Sequence, residues 1–269
     1  MKKERFTHPQ VVAFMEQEFD FDHQEKESYE DWLEAFSAAV AKNAKEGKLF
    51  TGVSSGYDSG ALAYELTKQK IPFRAYTVNM NEHELVLKRR GRFLSDHHIV
   101  EYGPWFEGYQ KELEGKIENA PYTIQYDGKI REQTILDDNA SVALAFMCDT
   151  AKKEGFAVYL STQGADEILA DYGLWPTQST FKGTFPEKLT EWYNFKDGCN
   201  YSYLLKETRI PEAYGVEVRF PFLDIDLVQE FLWLTPELKN RNYKAPLYEY
   251  LVGNGVPFEC SKKRGFTPA

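Results

Sequence analysis

The feature that most constrains this chain is a short apolar strand that runs straight into a turn of small residues and then a helix. Lys48-Leu49-Phe50-Thr51-Gly52-Val53 reads as a buried strand, Ser54-Ser55-Gly56-Tyr57-Asp58-Ser59-Gly60 as the turn, and Ala61 to Lys70 has helical spacing. A strand with no polar face must be covered on both sides, which favours a parallel sheet between layers of helices. The same alternation recurs along the first half. Tyr29 to Glu46 places Trp32, Leu33, Phe36, Ala39 and Val40 on one helical face, Phe73 to Asn79 is a second strand, and Glu82 to about Leu94 is a charged helix. His98 to Tyr102 is a third strand, and a less regular stretch follows it. Asn139 to about Lys153 is a helix closed by Gly155, and Phe156 to Leu160 is a fourth buried strand. The expected fold class is α/β: a parallel twisted sheet with helices on both faces, plus a helical C-terminal part. The expected organisation is an N-terminal extension over residues 1–28 and one domain over 29–269, with a sheet part at about 47–170 and a helical part at about 171–269. A polar acidic bridge, Asp20 to Lys26, is the one stretch expected to lie outside the folded body.

Composition narrows the class by exclusion. The 269 residues carry 32 Lys plus Arg against 42 Asp plus Glu, a net charge of −10, which disfavours a phosphate-neutralising nucleic-acid groove. Three scattered cysteines (Cys148, Cys199, Cys260) form neither a disulfide framework nor a zinc pattern, so a reduced, cytoplasmic setting is expected. No signal peptide and no long apolar span is present in the sequence.

Two loops carry the chemistry. A strand–turn–helix start built of small residues lets backbone N–H groups approach an oxyanion, aided by the positive end of the helix dipole. Gly56 clears room there, and Ser54, Ser55 and Ser59 add hydroxyl donors. Asp58 would repel a phosphate unless it holds a divalent cation that binds the phosphate in turn. The plainer reading is a capped helix start with an acid in its first turn. The second loop, Ser161-Thr162-Gln163-Gly164-Ala165-Asp166-Glu167, follows the fourth strand and puts a second acid at the same sheet edge, where open α/β sheets bind ligands. Two carboxylates from two strand ends can share Mg²⁺ and hold a pyrophosphate.

The first loop resembles the PP-loop of N-type ATP pyrophosphatases, S-G-G-x-D-S, with Ser55 in place of the first glycine. The second resembles the S-G-E-G-A-D-E-x-x-x-G-Y signature of asparagine and β-lactam synthetases, matched at Gly164, Ala165, Asp166, Glu167 and Tyr172. Glu217 to Asp224 is similar to the family's E-x-R-x-P-F-L-D, Lys244 to its lysine opening a late helix, and Lys263-Arg264-Gly265-Phe266 to its K-x-G-F. The Glu217–Asp224 block also has a purely structural reading, a buried Arg–Glu pair followed by a proline-directed turn. The resemblance implies a Rossmann-like fold and an ATP-dependent ligase that adenylates a carboxylate, releases pyrophosphate and lets an amine attack the acyl-adenylate. It implies ATP and Mg²⁺ as cofactors, with Asp58 and Asp166 as metal ligands. Val53, Ser54, Ser55, Gly56, Asp58, Ser59, Val78 and Gly164 would bind the nucleotide, with the segment Tyr76 to Val78 against adenine. Lys263, Gln163 and Glu167 would act in catalysis, Glu167 either near the metal or as a helix cap.

Two departures bear on the reaction. Lys2 stands where glutamine-dependent members carry a nucleophilic cysteine, so no glutaminase activity of its own is expected. The nitrogen would come from ammonia, a separate glutaminase subunit or another amine, and the acceptor would be a small-molecule, sugar or peptide carboxylate, with no nucleic acid or membrane partner. Gln163 replaces the glutamate of asparagine synthetases; it can orient an amine but cannot take its proton. Two other readings compete: a PP-loop enzyme that modifies a tRNA or nucleobase, and a non-catalytic nucleotide-binding subunit. The five histidines (His8, His23, His83, His97, His98) read as structural, the aromatic run from Trp175 to Tyr203 as helix packing or an acceptor pocket, and Lys88-Arg89-Arg90 with Arg92 as a solvated basic face.

Overall fold

The computed structural model describes residues 6–126, 129–170 and 184–260. In chain order it runs α1 (Pro9–Glu16), α2 (Glu30–Asn43), β1 (Leu49–Gly52), α3 (Tyr57–Lys68), β2 (Phe73–Asn79), α4 (Glu84–Arg90) and β3 (His97–Glu101). There follow α5 (Trp105–Lys116), the antiparallel pair β4 (Pro121–Tyr126) and β5 (Lys129–Thr134), α6 (Asn139–Lys153), β6 (Val158–Leu160) and α7 (Ala165–Leu169). The last third holds α8 (Tyr193–Lys196), α9 (Gly198–Ala213), β7 (Glu217–Arg219), α10 (Ile225–Leu232), α11 (Pro236–Asn240) and α12 (Ala245–Gly253).

A parallel sheet of order β3-β2-β1-β6-β7 forms the centre. Leu49, Phe50 and Thr51 are all buried, as a strand covered on both faces requires. The strand order reverses between β1 and β6, which pair at Leu49↔Val158 and Phe50↔Tyr159. The loops leaving their C-terminal ends therefore emerge side by side at the switch point, where the Ser54 and Thr162 turns lie. Thr51 Oγ1 ties the two strands further by donating to Leu160 O at 2.7 Å. No helix among the described residues is long and apolar enough to cross a membrane.

Several sequence expectations change. The irregular stretch after β3 contains α5 and the β4–β5 hairpin; the helix hides because most of its residues are polar, and Phe106 and Leu113 alone are buried on it. The small-residue turn is shorter than expected, since α3 begins at Tyr57 and takes Asp58, Ser59 and Gly60 into its first turn. The helical part contributes the fifth strand, because Glu217–Arg219 pairs with β6. Arg219 does pair with Glu217, at 2.7 Å, but the pair is on the surface; the same guanidinium donates to Asn43 O at 2.9 Å, closing the C-terminal end of α2. The Asp20–Lys26 bridge is built into the body: Asp20 N donates to Gln229 Oε1 at 2.9 Å, and Lys26 N donates to Trp233 O at 2.9 Å. Lys88 and Arg89 are solvated as expected, but Arg90 is fully buried.

The N-terminal residues cover the edge strand β7. His8 Nε2 bonds Val218 O at 2.9 Å, and the Gln10 amide both donates to Phe220 O (2.7 Å) and accepts from Phe220 N (2.9 Å), as a neighbouring strand would. Val11 and Phe14 of α1 are fully buried in the main core. Phe185, Trp192 and Phe195 pack on one another and on Phe14 and Phe231, the helix-packing role; Trp175 and Phe181 lie outside the described residues. All three cysteines are free.

Candidate active site

The turn after β1 is held in shape by its own hydroxyls. Ser54 N donates to Ser59 Oγ at 2.9 Å, the Ser54 and Ser59 hydroxyls are 2.9 Å apart, and Gly56 N donates to Ser54 Oγ at 3.1 Å. Ser55, at the departure from the family pattern, is buried: its N donates to Glu82 Oε2 at 2.6 Å, its hydroxyl donates to the same oxygen, and its Oγ accepts from His83 N at 3.2 Å. The hydroxyl adds two bonds to the segment after β2 beyond the backbone one that a glycine would also make.

Asp58 on α3 and Asp166 on α7 converge on one atom. Lys244 Nζ lies 2.5 and 2.6 Å from the two Asp58 oxygens and 2.7 Å from Asp166 Oδ1. Tyr243 O–H also donates to Asp166 Oδ1, at 2.9 Å. Lys244 is 3% exposed and sits in the left-handed region, φ 48° and ψ 53°, just ahead of the proline-started helix α12. A non-glycine residue there stores strain of about 1–3 kcal/mol, which the surrounding packing must hold in place. Burial works against the ammonium charge, but the Asp166 and Asp58 carboxylates outweigh it and hold the Lys244 pKa above the usual lysine value. Burial, followed by the Asp166 charge, pushes the Tyr243 hydroxyl up as well. The ammonium thus marks the point a cation shared by the two acids would take. Among the described residues no cluster of three or more acidic, His or Cys side chains could enclose a metal. Two carboxylates completed by phosphate oxygens and water is the way Mg²⁺ is ordinarily held, so the residues fit that ion.

Beside this pole lies a cavity of about 150 Å³. Val53 and Ser54 reach it from the end of β1, Tyr76 and Val78 from β2, Ala140, Leu144 and Met147 from α6, Thr162 from the turn after β6, and Glu82 and Glu207 add carboxyls. Apolar side chains from strands and from a helix, with a polar mouth at the turn, suit a flat heterocycle attached to a phosphate chain. Glu207 accepts from Ser161 Oγ at 2.7 Å, and burial raises its pKa against the opposing charge of Lys206.

The Thr162–Glu167 turn depends on Gly164, whose φ is +99° and where a Cβ would come within 2.5 Å of Leu223 Cδ2. Gln163 N donates to Ser161 Oγ (3.1 Å) and its side-chain amide donates to Asn200 Oδ1 (3.4 Å). Glu167 Oε2 accepts from Gly164 N at 3.2 Å, the helix-cap arrangement. Lys263, Tyr172 and the Lys263–Phe266 block lie outside the described residues. The chain leading toward Lys263 is tied to the first turn, since Glu259 N donates to Ser55 O at 2.9 Å.

The structure thus gathers Val53, Ser54, Ser59 and Val78 around the cavity, and brings Asp58 and Asp166 together on Lys244. It adds Lys244, matched in the sequence but not placed in the site, and Glu82, Arg90 and Glu207. Lys244 had a signal, the Lys244-Ala245-Pro246 helix start; Glu207 and Arg90 had none, being one acid in a polar helix and one cation in a basic run.

A family model described as asparagine synthase matches residues 31–197, a span that includes both Asp58 and Asp166. A solved structure, an NMN synthetase from Francisella tularensis, aligns at 12% identity and a TM-score of 0.37, covering 87% of this chain and 98% of that one. No curated protein matches the chain. The matched span exceeds half of the 269 residues and contains both acid-bearing turns in their expected order, and the chain therefore belongs to the asparagine synthase family.

Proposed function

We propose that this protein is an AMP-forming carbon–nitrogen ligase: it adenylates a substrate carboxylate with ATP, releases pyrophosphate, and passes the acyl group to ammonia or another amine. Membership of a family whose enzymes use ATP supports the nucleotide. The observation that carries the rest is the convergence of Asp58 and Asp166 on Lys244 Nζ beside the serine-rich turn. A carboxylate is a poor electrophile; transferring it to the α-phosphate gives it a leaving group, and the site must stabilise charge on that phosphate and on pyrophosphate.

Val53, Val78, Leu144 and Met147 hold the base, while Ser54, Ser59 and the amides at the start of α3 bind phosphate oxygens. Asp58 and Asp166 would hold Mg²⁺, which when bound neutralises polyphosphate charge. Lys244, bonded to both acids, supplies a fixed positive charge beside that ion, and Lys263 a second from the C-terminal segment. Gln163, oriented by Asn200, presents its amide to the incoming amine. The acyl substrate is a small-molecule, sugar or peptide carboxylate, and a separate glutaminase subunit is one source of nitrogen.

The test is isotope exchange between ATP and pyrophosphate over a panel of carboxylic acids. Exchange that depends on one class of acid supports the reading. Absence of exchange with every acid, together with no ATP binding, contradicts it.

A further inference from the structure

Arg90 is a buried cation behind the phosphate-binding turn, in a stretch whose other cations face water. Its side chain is fully buried, and its guanidinium donates to backbone carbonyls: Nη1 to Ser54 O, Nη2 to Gly56 O at 2.6 Å and Nε to Pro257 O at 2.9 Å. Two of these carbonyls belong to the turn and the third to the chain that returns along it. A guanidinium is the side chain suited to this, because its donors diverge in one plane and can serve three separate acceptors. The room for it is provided by Gly60, where a Cβ would lie 2.0 Å from Arg90 Nη2 and 2.5 Å from its Cζ.

In a tight anion-binding turn, each peptide unit presents either its N–H or its C=O to the ligand, and a carbonyl aimed at phosphate repels it. We infer that Arg90 is a positioning residue for the phosphate-binding turn: by engaging the Ser54 and Gly56 carbonyls it fixes which way those peptides face, and through Pro257 it joins the turn to the C-terminal segment. Arg90 is absent from the residues that line the nucleotide cavity, so it acts through the turn and not on the base. Burial pulls its pKa down to about 10, with Glu82 and Asp58 opposing, so it stays charged at neutral pH and adds a positive field behind the phosphates.

This inference rests on the proposed ATP site, and its test separates the two. Affinities for ATP and for adenosine are measured by calorimetry in the wild type, Arg90→Met, Arg90→Lys, Arg90→Ala and Gly60→Ala, with thermal unfolding followed in each. Losing charged hydrogen bonds that shape the turn should weaken ATP binding roughly 10- to 100-fold in Arg90→Met. Adenosine, which lacks phosphates, should bind as in the wild type. Arg90→Lys keeps the charge but cannot serve three carbonyls, so its loss is intermediate. Gly60→Ala should weaken ATP selectively by displacing the guanidinium while leaving its charge. Guanidinium chloride at low millimolar concentration should restore part of the ATP affinity in Arg90→Ala. Parallel weakening of ATP and adenosine, or unchanged ATP affinity in both Arg90→Met and Gly60→Ala, overturns the role of Arg90 alone. A wild type that binds neither ligand overturns the nucleotide site and this role with it.

Discussion

Helices α3 and α12 meet twice over buried charge, and the two meetings differ. Near the sheet edge, Asp58 of α3 faces Lys244 at the start of α12, with Asp166 on the other side. About two turns further along α3, Glu65 faces Tyr250 of α12. Glu65 is fully buried, and its carboxylate accepts from Ser37 Oγ at 2.6 Å, Gln69 Nε2 at 2.7 Å and the Tyr250 hydroxyl. That cluster is closed: a carboxylate surrounded by donors, with the half-exposed Lys68 ammonium 3.5 Å from it, in helical backbone. The Asp58–Lys244–Asp166 cluster is open, with side-chain exposures of 18% and 25% at the acids and a left-handed lysine between them. A closed buried network serves the fold; an open, strained one with a cation between two acids is where stability is given up for binding. The variants below break one cluster while leaving the other.

The largest effect should come from the open cluster. Asp166→Ala and Asp58→Ala should each lower ATP–pyrophosphate exchange by roughly 10²–10³-fold, because each removes a group that offsets transition-state charge. Each variant should stay folded but unfold at a lower temperature than the wild type, since the buried Lys244 ammonium keeps only one of its two carboxylates. Full activity in either would refute the assignment of these acids.

Lys244→Met should lower exchange by about 10²-fold and also destabilise the fold. Two carboxylates would then face each other without a cation, at a cost of about 2 kcal/mol, less than for a fully buried pair because both acids keep some solvent contact. Added Mg²⁺ should restore much of the lost stability in this variant and far less in the wild type. A Lys244→Met protein indifferent to Mg²⁺ would show that the acids do not form a cation site.

How far this was legible in the sequence follows the same division. The parallel sheet could be read because Leu49–Thr51, Ala75–Val78 and Val158–Leu160 are short, mostly apolar, buried runs whose burial needs no partner to be specified. Asp58 and Asp166 could be placed because each follows such a strand directly. Strand β7 was obscured because its burial alternates, Glu217 facing out and Val218 in, and because its pairing with β6 spans a long separation. Lys244, Glu82, Arg90 and Glu207 reach the site from separate helices and turns, and only tertiary packing brings them there. For Arg90 local pattern misled: three neighbouring cations suggest a solvated face, and only the depth of the turn separates Arg90 from Lys88 and Arg89.

Changes in the closed cluster should leave chemistry alone. Glu65→Gln keeps the shape and loses charge-assisted bonds, costing about 1–3 kcal/mol with ATP affinity unchanged. Burial raises the Glu65 pKa, but donors from Gln69, Ser37 and Tyr250 outweigh it and leave the group below 4.5. Its stabilisation is therefore complete above pH about 4.5 and lost as pH falls through the lower folded value, so Glu65→Gln should unfold with a shallower acid dependence there.

The smallest effect separates Lys239 from Lys244, both buried. Lys239 has no carboxylate beside it; it donates to Leu232 O at 2.7 Å, to Leu234 O and to Gln24 Oε1 at 3.1 Å, and burial pulls its pKa down to about 8 from 10.5. Between those values the unfolded chain binds the extra proton, so stability from this group rises with pH across that window. Lys239→Met should remove that slope, read as the difference from wild type in denaturant unfolding at about pH 8 and about pH 10.5, the two ends of that window.

We propose that Asp58 and Asp166 form one cation-dependent phosphate site. Calorimetric titration of ATP with and without Mg²⁺, in the wild type and in the Asp58→Asn, Asp166→Asn double variant, tests it most directly. The wild type should bind ATP more tightly with Mg²⁺ present, and the double variant should lose that dependence while still binding adenosine. Equal ATP affinity with and without Mg²⁺ in the wild type, or an unchanged Mg²⁺ dependence in the double variant, would contradict it.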